Sequence, residues 1–172
     1  SGVSPDHPAL IRSGRWLINK QITGTLGDWK IKNPNAKPGG WSFEFENSYF
    51  PDVDDTIEVL HSLKRLNISE EEKDKPIQMG LDWILSMQND DGGWAAFDKN
   101  QTQNIVNRIP FSDHGACLDP SSPDITGRML ELLASFGFEL NNSTISKAID
   151  YVWRTQEDFG GWHARWGINY IY

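Results

Sequence analysis

The stretch Trp83-Ile-Leu-Ser-Met-Gln88, followed by Gly92-Gly-Trp94, decides the fold of this chain because its pattern is repeated. The pattern is an aromatic residue, a glutamine five positions later, and then Gly-x-Trp. Two further copies are Trp16 to Gln21 with Gly27-Asp-Trp29, and Tyr151 to Gln156 with Gly160-Gly-Trp162. The aromatic residues that open the copies are 67 and 68 positions apart. Such near-constant spacing predicts a repeat protein.

A second type of helix is predicted between the copies. Asp55-Thr56 opens one such helix and Asp124-Ile-Thr126 opens the next, with Asp and Thr as N-cap residues. Their apolar residues recur at helical spacing: Ile57, Val59, Leu60, Leu63 and Leu66 in the first, and Ile125, Met129, Leu130, Leu133 and Phe136 in the second. Asp54 and Asp124 are 70 positions apart, so these helices share the repeat. The repeat unit is therefore a pair of helices joined by loops.

The predicted fold class is all-α, since the sequence contains no convincing series of strands. Helix pairs in series form either an open solenoid or a closed α/α toroid, in which each pair buries its apolar face against a neighbour. Residues 1–172 hold about two and a half pairs, whereas a closed toroid of roughly six pairs needs a longer chain. We therefore expect one domain, 1–172, that is a partial arc of an α/α toroid. The start at Ser1 rather than Met agrees with a fragment.

The repeated glutamines and tryptophans have two interpretations. In the structural one, they lock the end of one helix to the next loop through hydrogen bonds and stacking. In the functional one, the tryptophans form a surface on which sugars stack. Their even spacing in every unit favours the structural role.

Bulk properties exclude several functions. The net charge of −8 and pI of about 4.9 make nucleic acid an unsuitable partner. The single Cys117 cannot form an internal disulfide, which fits a reducing compartment. No apolar run approaches the roughly 18 residues that a membrane span requires, and no signal peptide is visible.

Asp52-Val-Asp54-Asp55-Thr56 places three carboxylates between an aromatic-rich segment and an apolar helix. Helix capping with solvated charge is one interpretation. A calcium loop is excluded by register, because Ile57 and Leu63 stand where such a loop needs Gly and Glu. A helical magnesium site is disfavoured, because Asp52 and Asp54 alternate as in an extended segment after Pro51.

The remaining interpretation of the acidic stretch is a Brønsted acid. Neighbouring carboxylates raise a carboxyl pKa by repulsion, and apolar surroundings raise it by desolvation. A helix N-terminus then stabilises the carboxylate that is left after proton transfer. In this interpretation a basic partner holds Asp52 ionised, Asp54 keeps the proton, and the cluster titrates as a coupled unit.

Together, the repeats and the acidic stretch resemble the squalene-hopene cyclases, which are class II triterpene cyclases. The repeats look like the Gln-Trp motifs of that superfamily, and Asp52-Val-Asp54-Asp55-Thr56 resembles the acid motif of its bacterial members. Further matching segments are Ile109-Pro-Phe-Ser-Asp113, Asp119-Pro120 and Gly161-Trp-His-Ala-Arg-Trp166-Gly-Ile-Asn-Tyr-Ile-Tyr172. The resemblance covers essentially the whole chain, as an internal stretch of a longer family sequence.

The resemblance implies that Asp54 is the proton donor and that Asp52 and Asp55 are its supporting carboxylates. Oxidosqualene cyclases have a single Asp at the matching place, so the three aspartates here point to the squalene branch. The implied activity is isomerisation of squalene to hopene, with hydration giving hopanol. It implies no metal and no organic cofactor.

Three further residues of the acid site are implied by the resemblance. Arg128 stands where well-studied members have His paired with the first Asp of the motif. Because Arg is always charged, it would orient and ionise Asp52 in a bidentate pair. A surface salt bridge is the alternative. Asp124 matches a carboxylate near the acid, although capping its own helix explains it equally well. Tyr172 matches a tyrosine that hydrogen-bonds the acid through water.

The resemblance also implies the lining of a substrate cavity. Phe43, Phe97 and Trp166 match positions that line it, and Phe97 stands where the family sometimes has Tyr. Phe111 and Ser112 match a constriction of the substrate channel. Aromatic faces stabilise carbocations without trapping them, and exclusion of water prevents early quenching. Core or loop packing is the alternative for each of these residues.

The partner implied by the resemblance is squalene, a molecule dissolved in lipid. The resemblance therefore implies monotopic association with the cytoplasmic side of a bacterial membrane, through regions largely outside this stretch, and it is compatible with a homodimer. As a partial arc, the chain alone is expected to be inactive.

Four other functions fit parts of the sequence. Another class II terpene cyclase would keep the acid motif. An α/α-toroid glycoside hydrolase would need a second catalytic carboxylate in an open polar groove. A prenyltransferase subunit would need a zinc site, which one Cys and no matching His spacing argue against. A carbohydrate- or lipid-binding helical repeat would not depend on Asp54.

Overall fold

A computed structural model describes residues 2–24, 27, 29–44, 46–101 and 119–164. These residues contain the helices α1 (Pro8–Asn19), α2 (Trp29–Lys32), α3 (Val53–Arg65), α4 (Glu70–Ser86), α5 (Pro123–Ser135) and α6 (Ser143–Arg154). Within the described part of the chain there is no β-strand, and the only β-type pairings are isolated bridges. The chain divides into two compact units, Ser1–Ser86 and Met87–Tyr172.

In the first unit, α3 packs against both α1 and α4. Within its predicted apolar stripe, Ile57, Leu60 and Leu63 are almost inaccessible to solvent, whereas Val59 and Leu66 are half-buried. Gly80 permits the close approach of α4, because a Cβ atom there would lie 2.9 Å from both Leu60 Cδ2 and Trp41 Cζ3. A glycine inside a helix normally weakens it, so its presence is explained by this packing.

The second unit is built on the pairing of α5 with α6. The buried face of α5 contains Ile125, Met129, Leu132 and Leu133, and that of α6 contains Ile145, Ala148 and Tyr151. The two types of helix predicted for the repeat are therefore both present, one beginning after an acidic or serine cap and one ending at the aromatic-glutamine pattern.

The repeated glutamines connect three segments through their side-chain amides. Gln21 Nε2 donates to Gly39 O at 2.7 Å and Pro76 O at 2.8 Å. In the second unit, Gln88 Nε2 donates to Gly92 O at 2.9 Å and to Thr144 O, in the first turn of α6, at 3.0 Å. In both cases the first acceptor is the leading glycine of a Gly-Gly-Trp sequence. The predicted structural role of these glutamines is confirmed.

The pairing of Gln21 with Gly27-Asp-Trp29 is wrong. Gln21 binds the carbonyl of Gly39, so Gly39-Gly-Trp41 is the first copy of the Gly-x-Trp element. Trp29 instead opens the short helix α2 and is buried with its ring edge-on to Trp83, at 6.1 Å between centroids. The chain between Gln21 and Gly39 is longer than that between Gln88 and Gly92. The Gly-x-Trp element of the first copy therefore lies farther along the sequence than the pattern predicts.

A threonine hydroxyl joins two of the Gly-Gly-Trp loops, those ending at Trp41 and Trp94, to the start of the following helix. Trp41 N donates to Thr56 Oγ1 at 2.9 Å, Thr56 Oγ1 donates to Asp52 O at 2.6 Å, and Asp52 N donates to Trp41 O at 2.7 Å. We call this arrangement the threonine latch. It recurs 70 residues later with Trp94, Ser122 and Thr126, at 3.0, 2.8 and 2.9 Å.

Replacement of Gln88 by Ala tests the connection that this side chain makes. Gln88→Ala removes the donor of two part-buried hydrogen bonds and leaves the carbonyls of Gly92 and Thr144 without it. We expect the free energy of unfolding to fall by about 1–3 kcal/mol, measured by thermal or chemical unfolding of the complete protein.

Gln78→Ala is the matched control. Gln78 makes an exposed hydrogen bond to Asp82 in α4, and exposed substitutions of this kind change stability by about 0.5 kcal/mol or less. Equal losses in the two variants would contradict a locking role for Gln88.

Candidate active site

The acidic stretch forms the start of α3. Asp52 is the N-cap residue in an extended conformation, with φ −111° and ψ 131°, and its Oδ1 accepts hydrogen bonds from Asp54 N at 2.7 Å and Asp55 N at 3.2 Å. The predictions that Asp55-Thr56 opens this helix and that Asp54 is extended are wrong. Asp54 and Asp55 already lie in the first helical turn, because Asp52 satisfies the free N–H groups of that turn.

Burial is the main cause of the raised pKa of the cap residue Asp52. Asp52 is only 6% exposed, and burial raises its pKa to about 7, with a further rise from the charge of Asp55 and an opposing effect of the two backbone hydrogen bonds. The pKa of Asp55 is also raised, by burial first and then by the charges of Asp54 and Glu58. The expected elevation of carboxyl pKa values is present at Asp52 and Asp55, and desolvation is its main cause, but the raised pKa of Asp52 opposes the expectation that this residue is ionised.

Asp52 is held in place through both its backbone and its side chain. Its own backbone is fixed by the threonine latch, and its side chain is fixed by the first-turn N–H groups. Because the pKa of Asp52 is raised to about 7, its carboxyl is divided between charged and uncharged forms at neutral pH. Such a group can donate or accept a proton without rearrangement of the backbone.

Asp124 and Arg128 lie one turn apart on α5 in the second unit. They border an open groove of about 350 Å³ whose other lining residues are Pro123, Gly127, Glu131, Val152 and Trp162. The alternative that Asp124 caps its own helix is wrong: Ser122 is the N-cap residue, and its Oγ donates to Asp124 Oδ1 at 2.5 Å. Arg128 and Asp52 belong to different units, and their pairing stays a prediction.

The aromatic residues expected to line a cavity differ in burial. Phe43 is 73% exposed, whereas Phe97 is half-buried in the loop after Trp94. Trp166, Phe111, Ser112 and Tyr172 lie outside the described residues, so their predicted roles stay predictions.

Asp119 is a functional candidate that the motifs alone did not single out. It is 7% exposed, and its carboxylate accepts hydrogen bonds from the backbone N–H groups of Ala96, Phe97 and Asp98 at 3.1, 2.5 and 2.8 Å. The sequence offered only the matching dipeptide Asp119-Pro120 as a signal. Bonds to backbone N–H groups across a loop leave no pattern that sequence reasoning can detect.

Two further searches concern only residues 2–24, 27, 29–44, 46–101 and 119–164. Within these ranges, no three His, Cys, Asp or Glu side chains are grouped so that they could hold a metal ion. No helix there has the length and apolar character needed to cross a membrane.

Comparison with known proteins connects this arrangement to one family. A family model for the squalene-hopene cyclase C-terminal domain matches residues 1–172. The chain belongs to the squalene-hopene cyclase family. The predicted family is therefore confirmed, and with it the all-α class and the α/α-toroid fold of these cyclases.

Individual relatives agree with the family match. The squalene-hopene cyclase of Alicyclobacillus acidocaldarius is 43% identical over 100% of this chain and 27% of its own length. That of Bradyrhizobium diazoefficiens is 44% identical over 96% of this chain and 26% of its own length. Sporulenol synthase of Bacillus subtilis is 37% identical over 100% of this chain and 27% of its own length. The chain thus spans about a quarter of the length of each of these relatives.

The raised pKa of Asp52 predicts a specific pH dependence of stability. The folded-state pKa is about 7 and the ordinary value is 3.8, so the folded protein binds a proton that the unfolded chain releases between these values. The stabilisation is complete below pH 3.8 and is lost as the pH rises to about 7. The loss amounts to roughly 4 kcal/mol at most.

Asp52→Asn tests this dependence, because the amide oxygen keeps the cap acceptor but cannot titrate. We expect the variant to lose less stability than the wild type as the pH rises through this window, measured as the midpoint of thermal unfolding in a series of buffers. Parallel curves for the two proteins would show that Asp52 does not carry the predicted shift.

Proposed function

We propose that the complete protein containing this chain is a squalene-hopene cyclase that protonates an alkene of squalene and forms hopene, with hopanol as the hydrated product. The observation that carries the proposal is the carboxyl cluster at the start of α3, in which Asp52 is buried and Asp54 and Asp55 are half-buried, in a chain of this family. Relatives named squalene-hopene cyclase are 43% and 44% identical to it.

In the proposed reaction, Asp54 is the group that gives up the proton. Its carboxyl O–H bond breaks, a C–H bond forms on the alkene, and a tertiary carbocation remains. Asp54 lies in the first turn of α3, where its backbone N–H is bound by the buried Asp52 carboxyl at 2.7 Å. The positive end of the helix favours the carboxylate that results. Asp55, also in this turn, is a third member of the acid cluster.

The remaining steps require control of cations rather than further acid. Each alkene attacks the preceding cation, and the last cation loses a proton or captures water. Aromatic faces stabilise these cations without forming bonds to them. We assign this role to Phe43, Phe97 and Trp166, and assign the substrate channel to Phe111 and Ser112. Arg128, Asp124 and Tyr172 are proposed to orient the acid cluster.

Association with the membrane belongs to the proposal because squalene is dissolved in lipid. We propose monotopic attachment at the cytoplasmic side, through regions outside this chain, and regard a homodimer as compatible with this arrangement. The chain alone is expected to be inactive, since it spans about a quarter of its relatives.

Replacement of Asp54 by Asn in the complete protein tests the acid. Asp54→Asn removes the acidic proton but keeps the size of the side chain and its backbone bond to Asp52. We expect product formation from squalene to fall by at least about a hundredfold, since general acid catalysis alone contributes that much. Products are separated and identified by gas chromatography with mass spectrometry.

Asp82→Asn is the control for this experiment. Asp82 is an exposed residue of α4, and the same chemical change there is expected to leave turnover unchanged. Full turnover by a folded Asp54→Asn variant would refute the acid assignment. A wild-type protein that releases no cyclised product from squalene would instead refute the substrate.

A further inference from the structure

The turn at residues 96–98 is organised by a carboxylate more than twenty positions away. One oxygen of Asp119, Oδ1, accepts from Ala96 N at 3.1 Å, and the other, Oδ2, accepts from Phe97 N at 2.5 Å and Asp98 N at 2.8 Å. Successive backbone N–H groups that converge on one anion form a nest. Charge-assisted bonds of this kind are stronger than neutral ones, and Asp119 is shielded from solvent at 7% exposure.

The rest of this loop is also fixed, so the turn is anchored at both ends. Asn89 Oδ1 accepts from Asn100 N at 2.7 Å, and Asn89 Nδ2 donates to Ser121 Oγ at 2.6 Å. On the opposite side, Asp91 Oδ1 accepts from Gly93 N at 3.0 Å and from Ser121 Oγ at 2.8 Å. These bonds hold the loop against the segment that begins at Asp119.

Phe97 is the point at which this fixed loop emerges from the core. Trp94, Ala95 and Ala96 are each at most 1% exposed, whereas the Phe97 side chain is only half-buried. Its position therefore depends on the backbone turn that Asp119 holds more than on core packing around the ring.

We propose that Asp119 is a positioning residue that fixes the Phe97 ring for stabilisation of a carbocation during cyclisation. This inference rests on the proposed function. A cation benefits from an aromatic face only within about 6 Å of the ring centroid. A turn that is free to move would therefore leave one cation less stabilised, and that cation would lose a proton before cyclisation is complete.

Asp119→Asn in the complete protein is the first test. The amide keeps one acceptor oxygen, so either the Ala96 N–H or the pair from Phe97 and Asp98 loses its partner. We expect the share of incompletely cyclised products from squalene to rise several-fold, with turnover retained. Asp119→Glu, which keeps both oxygens but displaces them by one methylene, is expected to give a smaller rise.

Asp91→Asn is the matched control, since it changes another carboxylate that binds the same loop but not the 96–98 turn. It is expected to keep the wild-type product ratio. A double variant supplies the sharper readout: Asp119→Asn added to Phe97→Ala should shift the ratio no further than Phe97→Ala alone, because both changes act through one ring.

A measurement that does not depend on turnover separates this inference from the proposed function. Amide hydrogen exchange of residues 94–101, followed by mass spectrometry, should be faster in Asp119→Asn than in wild type and unchanged in Asp91→Asn. An absence of squalene turnover in the wild type would refute the proposed function, while this measurement still tests whether Asp119 holds the turn at residues 96–98.

Three outcomes of the product analysis would overturn the positioning role. These are an Asp119→Asn variant with the wild-type product ratio, an equal shift of the ratio in Asp91→Asn, and additive effects of Asp119→Asn and Phe97→Ala. If neither Asp119→Asn nor Asp119→Glu folds, Asp119 serves stability and the proposal is likewise overturned.

Discussion

The threonine latch is the constraint on which the acid cluster depends. Through it, the position of the Asp52 cap follows the backbone of Trp41. That loop in turn is tied by Gln21 to the carbonyl of Gly39 and to α4. A continuous series of hydrogen bonds thus leads from a repeat glutamine to a buried carboxyl. The repeat supplies more than a scaffold, because its recurring bonds determine where the Asp52 carboxyl lies beside Asp54 and how deeply it is buried.

The periodic part of the fold was predictable because it depends on side chains that recur. The spacing of aromatic and apolar residues correctly indicates two kinds of helix. Two local features were not predictable for physical reasons. Trp29 lies nearer to Gln21 along the chain than Trp41 does, and only the hydrogen bond to Gly39 reveals which belongs to the repeat. The start of α3 depends on which of three neighbouring carboxyls reaches the free N–H groups, and Asp52 does so.

The candidate site likewise combines features that the sequence predicts with features that it does not. Three aspartates beside apolar residues correctly indicated carboxyl groups with raised pKa values, since composition alone predicts crowding and desolvation. Composition did not indicate that burial would raise the pKa of Asp52 more than repulsion by the neighbouring carboxylates does. The contacts of Asp119 were not predictable from the sequence, because its partners are backbone N–H groups, which every residue except proline possesses. Contacts of that kind become visible only when the loop at 96–98 and the segment after residue 118 are seen together.

The cap position has a further consequence when its two occurrences are compared. Asp52 occupies it in the first unit and Ser122 in the second, with the same latch behind each. Asp and Ser are both common N-cap residues, and the backbone of the latch is the same behind both, although Asp52 makes side-chain cap bonds and Ser122 makes none. A duplicated repeat can therefore acquire a buried acid at this position by a single substitution, with no new backbone geometry. The carboxyl that supports the proposed donor Asp54 is then an addition to a joint whose hydrogen bonds also form without it, as at Ser122 and Thr126.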